Sequence, residues 1–269
     1  MAKQRLSCQL VINNNLIVIL LIFCKQRFLT KNIFSKILIC HEVGISTLIR
    51  SKQQFLIKQS DESLELSDSI SDLYRYFLIL AFLAFGDFNV VLVDWTAGAE
   101  TGDVSDVATN PPLVGDFLAS FLDWLSTLGL PFSQIHIVGH SLGGHVVGFA
   151  GRNCKLALDP GLFYWVDSPD EINSGDGKYV EVIHTNAGIS GLILPAGTAD
   201  FYPNRGATNP GCVNDILCDH VRSIEFFQDS IGHQRFIAQK CISFDEIASG
   251  NCSNIGTSYM GETGDAKES

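Results

Sequence analysis

The sequence predicts an α/β fold: a mostly parallel central sheet with helices on both faces. Three observations carry this expectation. From about Ser71, apolar β-branched runs alternate with stretches of helical periodicity, the pattern of strands joined by crossover helices. The strand-like runs "FNVVLVDW" and "QIHIVG" are nearly continuous in apolar residues, as strands covered on both faces are. A glycine-bracketed serine, in "IVGHSLGGHVVGFAGR" from Ile137 to Arg152, stands where one such run passes into a helical pattern.

In chain order, "SDLYRYFLILAFLAF" reads as a buried helix, and Phe88 to Trp95 as a core strand ending in a turn at "TAGAETGD". "PPLVGDFLASFLDWLSTLG" reads as an amphipathic helix. Its prolines fall at the start, where the missing N–H would be unpaired anyway. Gln134 to Gly139 is the next strand, followed by a helix through Arg152. "KLALDP" and "KYVEVIHT" are two further strands. Beyond Gly188 the chain is loop-rich, with "EFFQDSI" as the one further helix and a polar end, "MGETGDAKES". Asp94, Gly139 and Asp159 all fall at the carboxyl ends of predicted strands, where sites in parallel sheets lie.

The 269 residues suffice for a large buried core, and 46% hydrophobic against 17% charged residues describes a globular chain. A formal net charge of −11 argues against a nucleic-acid partner and against electrostatic docking on anionic membranes. It leaves lipid substrates open, since these can be met through apolar loops. At the N-terminus, Lys3 and Arg5 precede a polar patch and the apolar run "LIVILLIFC", Leu16 to Cys24. That run is too short to span a bilayer as a helix but suits a leader core. Residues 1–24 are therefore expected to be a signal peptide or signal anchor, although the small-residue cleavage pattern is missing.

Of eight cysteines, Cys212 with Cys218 and Cys241 with Cys252 form two close pairs. Neither has C-x-x-C spacing, so disulfides in an oxidising compartment are favoured over zinc. No metal or cofactor is assigned.

"GHSLG", Gly139 to Gly143, fits the G-x-S-x-G elbow, in which a serine occupies a sharp strand-to-helix turn. Ser141 is the candidate nucleophile, and the Leu142 N–H is placed to meet a developing oxyanion. Such a serine needs a base, and the base needs an orienting acid, in the chain order Ser, acid, His of the α/β-hydrolase fold. Asp159 in "ALDPG" is the candidate acid; Asp167 and Asp176 compete from more hydrophilic contexts. Among the downstream histidines, His184 reads as a hydrogen-bonded core residue and His233 as part of a polar turn. His220, two residues after Cys218 on an expected loop, is the candidate base. His140 and His145, which flank the elbow, read as structural.

Six segments in order, "VDWTAGA", "GHSLGGHVVGFAGR", "LALDPG", "KYVEVIHTNAG", "ADFYPNRGATNPGC" and "CDHVRS", resemble the neutral, pancreatic-type lipase family, which includes secreted phospholipases A1. The resemblance covers roughly Phe88 to Cys252. It implies a secreted α/β-hydrolase acting without a cofactor on glycerolipid esters at a lipid–water interface, with Ser141, Asp159 and His220 as its triad. Residues 25–70 are an atypical N-terminal segment, and 71–269 a lipase-type domain without the family's C-terminal lipid-binding β-sandwich.

Departures stand beside the likeness. The family's His-Gly pair, source of the second oxyanion N–H, corresponds to Lys58 and Gln59 in "FLIKQSDES", leaving Ser60 as the expected donor. Ser141 and Asp159 are only 18 positions apart, shorter than is usual in the family. Asp176 matches a position of the family's structural calcium site, but its other ligands are not recognisable here. The short Cys212–Cys218 loop and the short, acidic Gly161 to Lys178 segment imply, by the resemblance, phospholipids or other polar glycerolipids over bulk triacylglycerol. The alternative reading is a catalytically weak or inactive lipid-binding or storage protein of the same fold. An intracellular esterase of similar architecture is disfavoured by the paired cysteines. Oligomeric state is not legible.

Overall fold

The computed structural model describes residues 17–21, 36–37, 70–86, 88–95, 99, 107–151, 154–162, 164–233, 236–253 and 255–261. In order, its elements are β1 (Ile17–Leu21), β2 (Lys36–Ile37), α1 (Ile70–Phe85), β3 (Asn89–Asp94), α2 (Pro111–Thr127), β4 (Ile135–His140), α3 (Leu142–Ala150), β5 (Cys154–Leu158), β6 (Val180–Ile183), β7 (Ala199–Phe201), α4 (Ile216–Ser230), β8 (Ile237–Gln239), α5 (Phe244–Ser249) and β9 (Thr257–Tyr259). Among the described residues the main sheet has seven strands in the order β2-β3-β1-β4-β5-β6-β7. Only β2 is antiparallel to its neighbour.

Side chains alternate across the sheet with the period of two that strands impose. Val91 and Val93 of β3 and Ile135 and Ile137 of β4 pack with Val114 and Leu118 of α2 and Val146 and Val147 of α3. Val90 and Val138, from the same two strands, face the other way. They pack with Leu78 and Phe82 of α1 and Ile224 and Phe227 of α4. The fold is thus the expected α/β-hydrolase arrangement, a parallel sheet between two helical layers.

Three local expectations change. The apolar run read as a leader core contains strand β1, which lies between β3 and β4 and is parallel to both; Ile17 is in register with Asn89 and Ile135. A short apolar run bounded by polar residues satisfies both descriptions, and periodicity cannot separate them. Cleavage after residue 24 would remove this strand from the middle of the sheet.

Helix α1 is not buried all round. Leu78 and Phe82 are fully covered, while Phe77, Leu80 and Phe85 are exposed, since only one stripe of a helix can face the sheet. The region after Gly188 is more regular than expected. Helix α4 starts at Ile216, nine residues before "EFFQDSI", under a cap in which Asp215 accepts from the Cys218 N–H at 3.0 Å. An antiparallel pair, β8 with β9, and the short α5 complete it. Both expected disulfides are present, Cys212–Cys218 with Cα atoms 5.4 Å apart and Cys241–Cys252 with 4.7 Å.

Candidate active site

Strand β4 delivers Ser141 to the carboxyl end of the sheet. Ser141 adopts φ 56° and ψ −125°, a combination costly for a residue with a side chain and persistent only where the surroundings enforce it. Two close approaches do so. The Ser141 N–H donates to the Leu158 carbonyl at 3.0 Å, tying the turn to β5. A Cβ placed on Gly139 would lie 2.1 Å from the Gly143 carbonyl oxygen, so the strand-to-helix crossing has no room for a side chain there. Leu142 is the first residue of α3, and among the described residues no acceptor takes its N–H. That leaves it available to an anionic oxygen above the helix N-terminus.

Asp159 follows β5 directly and is fully buried. One carboxylate oxygen accepts from the backbone N–H groups of Thr185 (2.8 Å) and Asn186 (3.0 Å). The other accepts from His220 Nδ1 at 2.6 Å. Nδ1 therefore carries a proton, and in the neutral ring Nε2 is then the acceptor, the tautomer a general base requires. Gly191 covers the carboxylate closely: a Cβ there would stand 2.3 Å from Asp159 Oδ1.

His220 lies within α4, not on a loop as expected. Its helix is anchored by Asp219, whose carboxylate accepts from the Asn209 backbone N–H at 2.6 Å and side-chain amide at 3.1 Å. Arg222 ties the same helix to the disulfide loop, donating to the Pro210 carbonyl (3.1 Å) and Cys212 Sγ (3.3 Å). A hydrogen bond from Ser141 Oγ to His220 is not formed among the described residues; such contacts commonly tighten only when substrate binds.

The competing residues are engaged elsewhere. Asp176 accepts from both the backbone and the side-chain nitrogen of Asn173 in a capping box, and Asp167 is exposed in a turn. His184 is buried between the Leu192 carbonyl (3.0 Å) and the Asp200 carboxylate (2.9 Å), stacked on Tyr202, and His233 is exposed. Ser60 lies outside the described residues. Among the described residues, one cluster of metal-type side chains is found, Cys241, Glu246 and Cys252, and its cysteines are joined to each other.

His145 has a definite task. Its Nε2 donates to the Gly161 carbonyl at 2.8 Å and its Nδ1 accepts from the Ile172 N–H at 3.4 Å, so the neutral ring staples the 161–172 segment to α3. Burial, only partly offset by the bond to Gly161, lowers its pKa from 6.5 to about 4. The unfolded chain therefore takes up this proton between those values and the folded chain does not, so stability falls as pH drops from about 6.5 towards 4. The loss amounts to about 3 kcal/mol at the lower end. Urea unfolding at stepwise lower pH should show this decline, and a His145→Gln variant should show a shallower one.

Exposed apolar side chains lie on the segments that adjoin the candidate residues in the chain: Tyr164 and Val166 after Asp159, Ile189 and Leu194 after the Thr185–Asn186 donors, and Val213 with Ile216 ahead of His220. The first two segments are linked close to Asp159. Leu162 N–H donates to the Ser190 carbonyl, and Leu192 N–H to the Pro160 carbonyl, each at 2.8 Å.

A serine in a strained elbow, a buried Asp–His pair at the same sheet edge and a helix N-terminus beside them are the arrangement expected of an α/β-hydrolase site. Comparison with known proteins narrows the class. A family model described as Lipase matches residues 77–268, and the chain belongs to the lipase family. It is 32% identical over 223 residues to pancreatic lipase-related protein 2 of Cavia porcellus, covering 76% of this chain and 49% of that protein. Lipase member H of Xenopus tropicalis is 33% identical over 66% of this chain and 42% of its own length. For phospholipase A1 2 of Vespa affinis the identity is 33%, over 57% of this chain and 53% of that protein. The chain thus spans about half the length of the curated relatives it matches.

Proposed function

We propose that this chain is a secreted serine hydrolase of glycerolipid carboxylic esters, with Ser141 as nucleophile, His220 as base and Asp159 as orienting acid. The observation that carries the proposal is the 2.6 Å His220–Asp159 hydrogen bond at the sheet edge where Ser141 holds its strained turn. Ser141 Oγ attacks the ester carbonyl as His220 Nε2 takes its proton. The Leu142 N–H stabilises the oxyanion, with the backbone around Ser60 as second donor. The alcohol leaves with the proton from His220, and water activated by the same ring then releases the fatty acid. The residues supply every proton transfer themselves. The hydrolase unit is assigned to 71–269 together with the β1 strand it encloses.

The exposure of Tyr164, Val166, Ile189, Leu194, Val213 and Ile216, on segments that adjoin the candidate residues in the chain, supports a lipid–water interface as the place of action. With a formal net charge of −11, docking rests on apolar contact rather than on attraction to anionic headgroups. The disulfide loop leaves only five residues between Cys212 and Cys218, too few for a helical lid. This favours phospholipids, whose polar headgroups need no deep cover, over bulk triacylglycerol. The name of the wasp relative, a phospholipase A1, fits the same substrate class. Two disulfides favour the extracellular compartment.

The test is product analysis on phosphatidylcholine and trioleoylglycerol, using protein recovered from the medium of expressing cells, with Ser141→Ala as control. Release of fatty acid from phosphatidylcholine above triacylglycerol, abolished in the control, is the expected result. Lipid binding without product would sink the catalytic reading, and protein retained inside cells would sink the extracellular one.

A further inference from the structure

The elbow histidine His140 is buried, and the mechanism above does not use it. Its main chain belongs to the last residue of β4, in register with Leu158 of β5. The next residue is Ser141, whose N–H bonds the Leu158 carbonyl, and Asp159 follows Leu158 in the chain. The His140 backbone thus sits at the junction of the strands that carry the nucleophile and the acid. Its side chain crosses to the third partner: Nε2 donates to the His220 carbonyl at 3.2 Å, and the two imidazole rings lie 4.5 Å apart at 45°.

The His220 carbonyl has two other side-chain donors, Ser223 Oγ at 3.1 Å and Thr185 Oγ1 at 3.5 Å. Ser223 is three residues further along the same helix and cannot fix that helix relative to the sheet. Thr185 reaches from the sheet, but its contact is long. His140 provides the well-formed side-chain link between the strand bearing Ser141 and the carbonyl of the residue whose ring must meet Ser141.

We propose that His140 is a positioning residue that holds the His220 imidazole in line with Ser141 by clamping the His220 carbonyl and packing against its ring. The proposal rests on the triad reading above. Two demands fall on the residue at 140. It must donate a hydrogen bond from the position of Nε2. It must also stay uncharged while His220 cycles through its imidazolium, because a second cation at 4.5 Å would oppose that charge. Complete burial and the neighbouring His220 hold the His140 ring neutral, with its pKa well below 6.5. The ionisable groups facing this junction are Asp159, directly after β5, and Asp219 and His220 of α4, with Asp219 held by Asn209; α3 contributes His145, which burial likewise keeps neutral near pH 7.

The variants that separate the demands are His140→Gln, which keeps an uncharged donor at similar reach, and His140→Leu, which keeps the bulk and removes the donor. On a soluble short-chain ester, the leucine variant should lose about 10- to 100-fold in kcat with KM nearly unchanged, as a slightly misplaced base does. Its acid limb of kcat/KM should move, and the glutamine variant should recover most of the loss. A second readout needs no turnover: the low-field proton resonance of the His220–Asp159 hydrogen bond should broaden in the leucine variant and persist in the glutamine variant. A folded leucine variant with parental kcat and parental resonance overturns the proposal, as does a glutamine variant no better than leucine. Should leucine prevent folding, the glutamine variant decides, parental-like kcat supporting the assignment and lost folding or lost kcat refuting it. Fluorophosphonate labelling of Ser141 in the parent separates the two levels. If Ser141 is not labelled but the resonance responds as described, the triad reading fails while the positioning role stands.

Discussion

Asp159→Asn is expected to lower kcat on ester substrates by about 10⁴-fold while leaving the fold and KM nearly intact. The magnitude follows from which atoms the carboxylate occupies. Oδ1 accepts from Thr185 and Asn186 N–H groups, and Oδ2 accepts from His220 Nδ1. An asparagine keeps the first role by presenting its carbonyl oxygen to the two backbone donors. Its amide NH₂ then faces His220 Nδ1, which can respond only by becoming an acceptor. The ring proton moves to Nε2, and the atom that should take the Ser141 proton is already protonated. Buried dipoles are kept, so stability changes little; the proton inventory is wrong, so the chemistry stops. Asp159→Ala should differ in kind, because it strands two buried N–H groups at about 1–3 kcal/mol each and so lowers stability as well as rate. Kinetics and urea unfolding of the two variants, with nitrogen-detected NMR of the His220 tautomer, read both effects. An asparagine variant retaining a tenth or more of parental kcat would remove Asp159 from the triad.

What was legible in the sequence, and what was not, divides along the range of the interactions. The elbow is a local object. Strand periodicity, two glycines at fixed offsets and helical periodicity occur within sixteen residues, so Ser141 and Leu142 could be placed without tertiary information. Asp159 was legible for a similar reason, since "LALDPG" ends a short apolar run with a residue that cannot continue it. His220 was chosen correctly as the partner of Asp159 but assigned the wrong local structure. Asp219, His220, Arg222 and Ser223 dilute the apolar periodicity of "ILCDHVRS", and the helix there is held by the Asp215 cap and by Asn209, neither of which a periodicity count weighs.

The supporting contacts were out of reach for a different reason. Thr185, Asn186 and Gly191 serve Asp159 through backbone atoms or through the lack of a side chain, so residue type carries almost no signal of the task. His140 and His145 were read as structural, and burial agrees. Their actual work, holding the His220 carbonyl and the Gly161 carbonyl, depends on segments 80 and 16 residues away. The β1 run shows the complementary limit. Its composition serves a leader and a buried strand equally, and only the gap between β3 and β4 gives it a place.

Gly139→Ala is expected to be the most damaging single-methyl change in the described structure outside the catalytic groups. A Cβ on Gly139 would meet the Gly143 carbonyl oxygen at 2.1 Å, its carbon at 2.4 Å and Val147 Cγ2 at 2.7 Å. The first two are backbone atoms of the opening turn of α3, which cannot swing aside as a side-chain tip can. Relief requires α3 to move off β4, and α3 also packs closely against α2, where a Cβ on Gly115 would already stand 2.2 Å from Phe149 Cβ. A shift of α3 therefore also disturbs its close packing on α2, which adds to the cost of relief. Overpacking of this sort costs about 3 kcal/mol or more, which for a chain of this size lowers Tm by roughly 6–12 °C. Gly161→Ala is the control. It also lies beside the elbow, but its Cβ would come no closer than 3.3 Å to Leu142 Cδ2, 3.5 Å to the Leu142 nitrogen and 3.6 Å to the Ser141 carbonyl carbon. That variant should fold normally. The alanine at 139 should lose activity with stability, because the displacement that relieves the methyl moves Ser141 and the Leu142 N–H together. Thermal unfolding of both variants, with fluorophosphonate labelling below each midpoint, reads the outcome. An alanine at 139 with parental Tm and labelling rate would show that the elbow does not depend on the close crossing of β4 and α3.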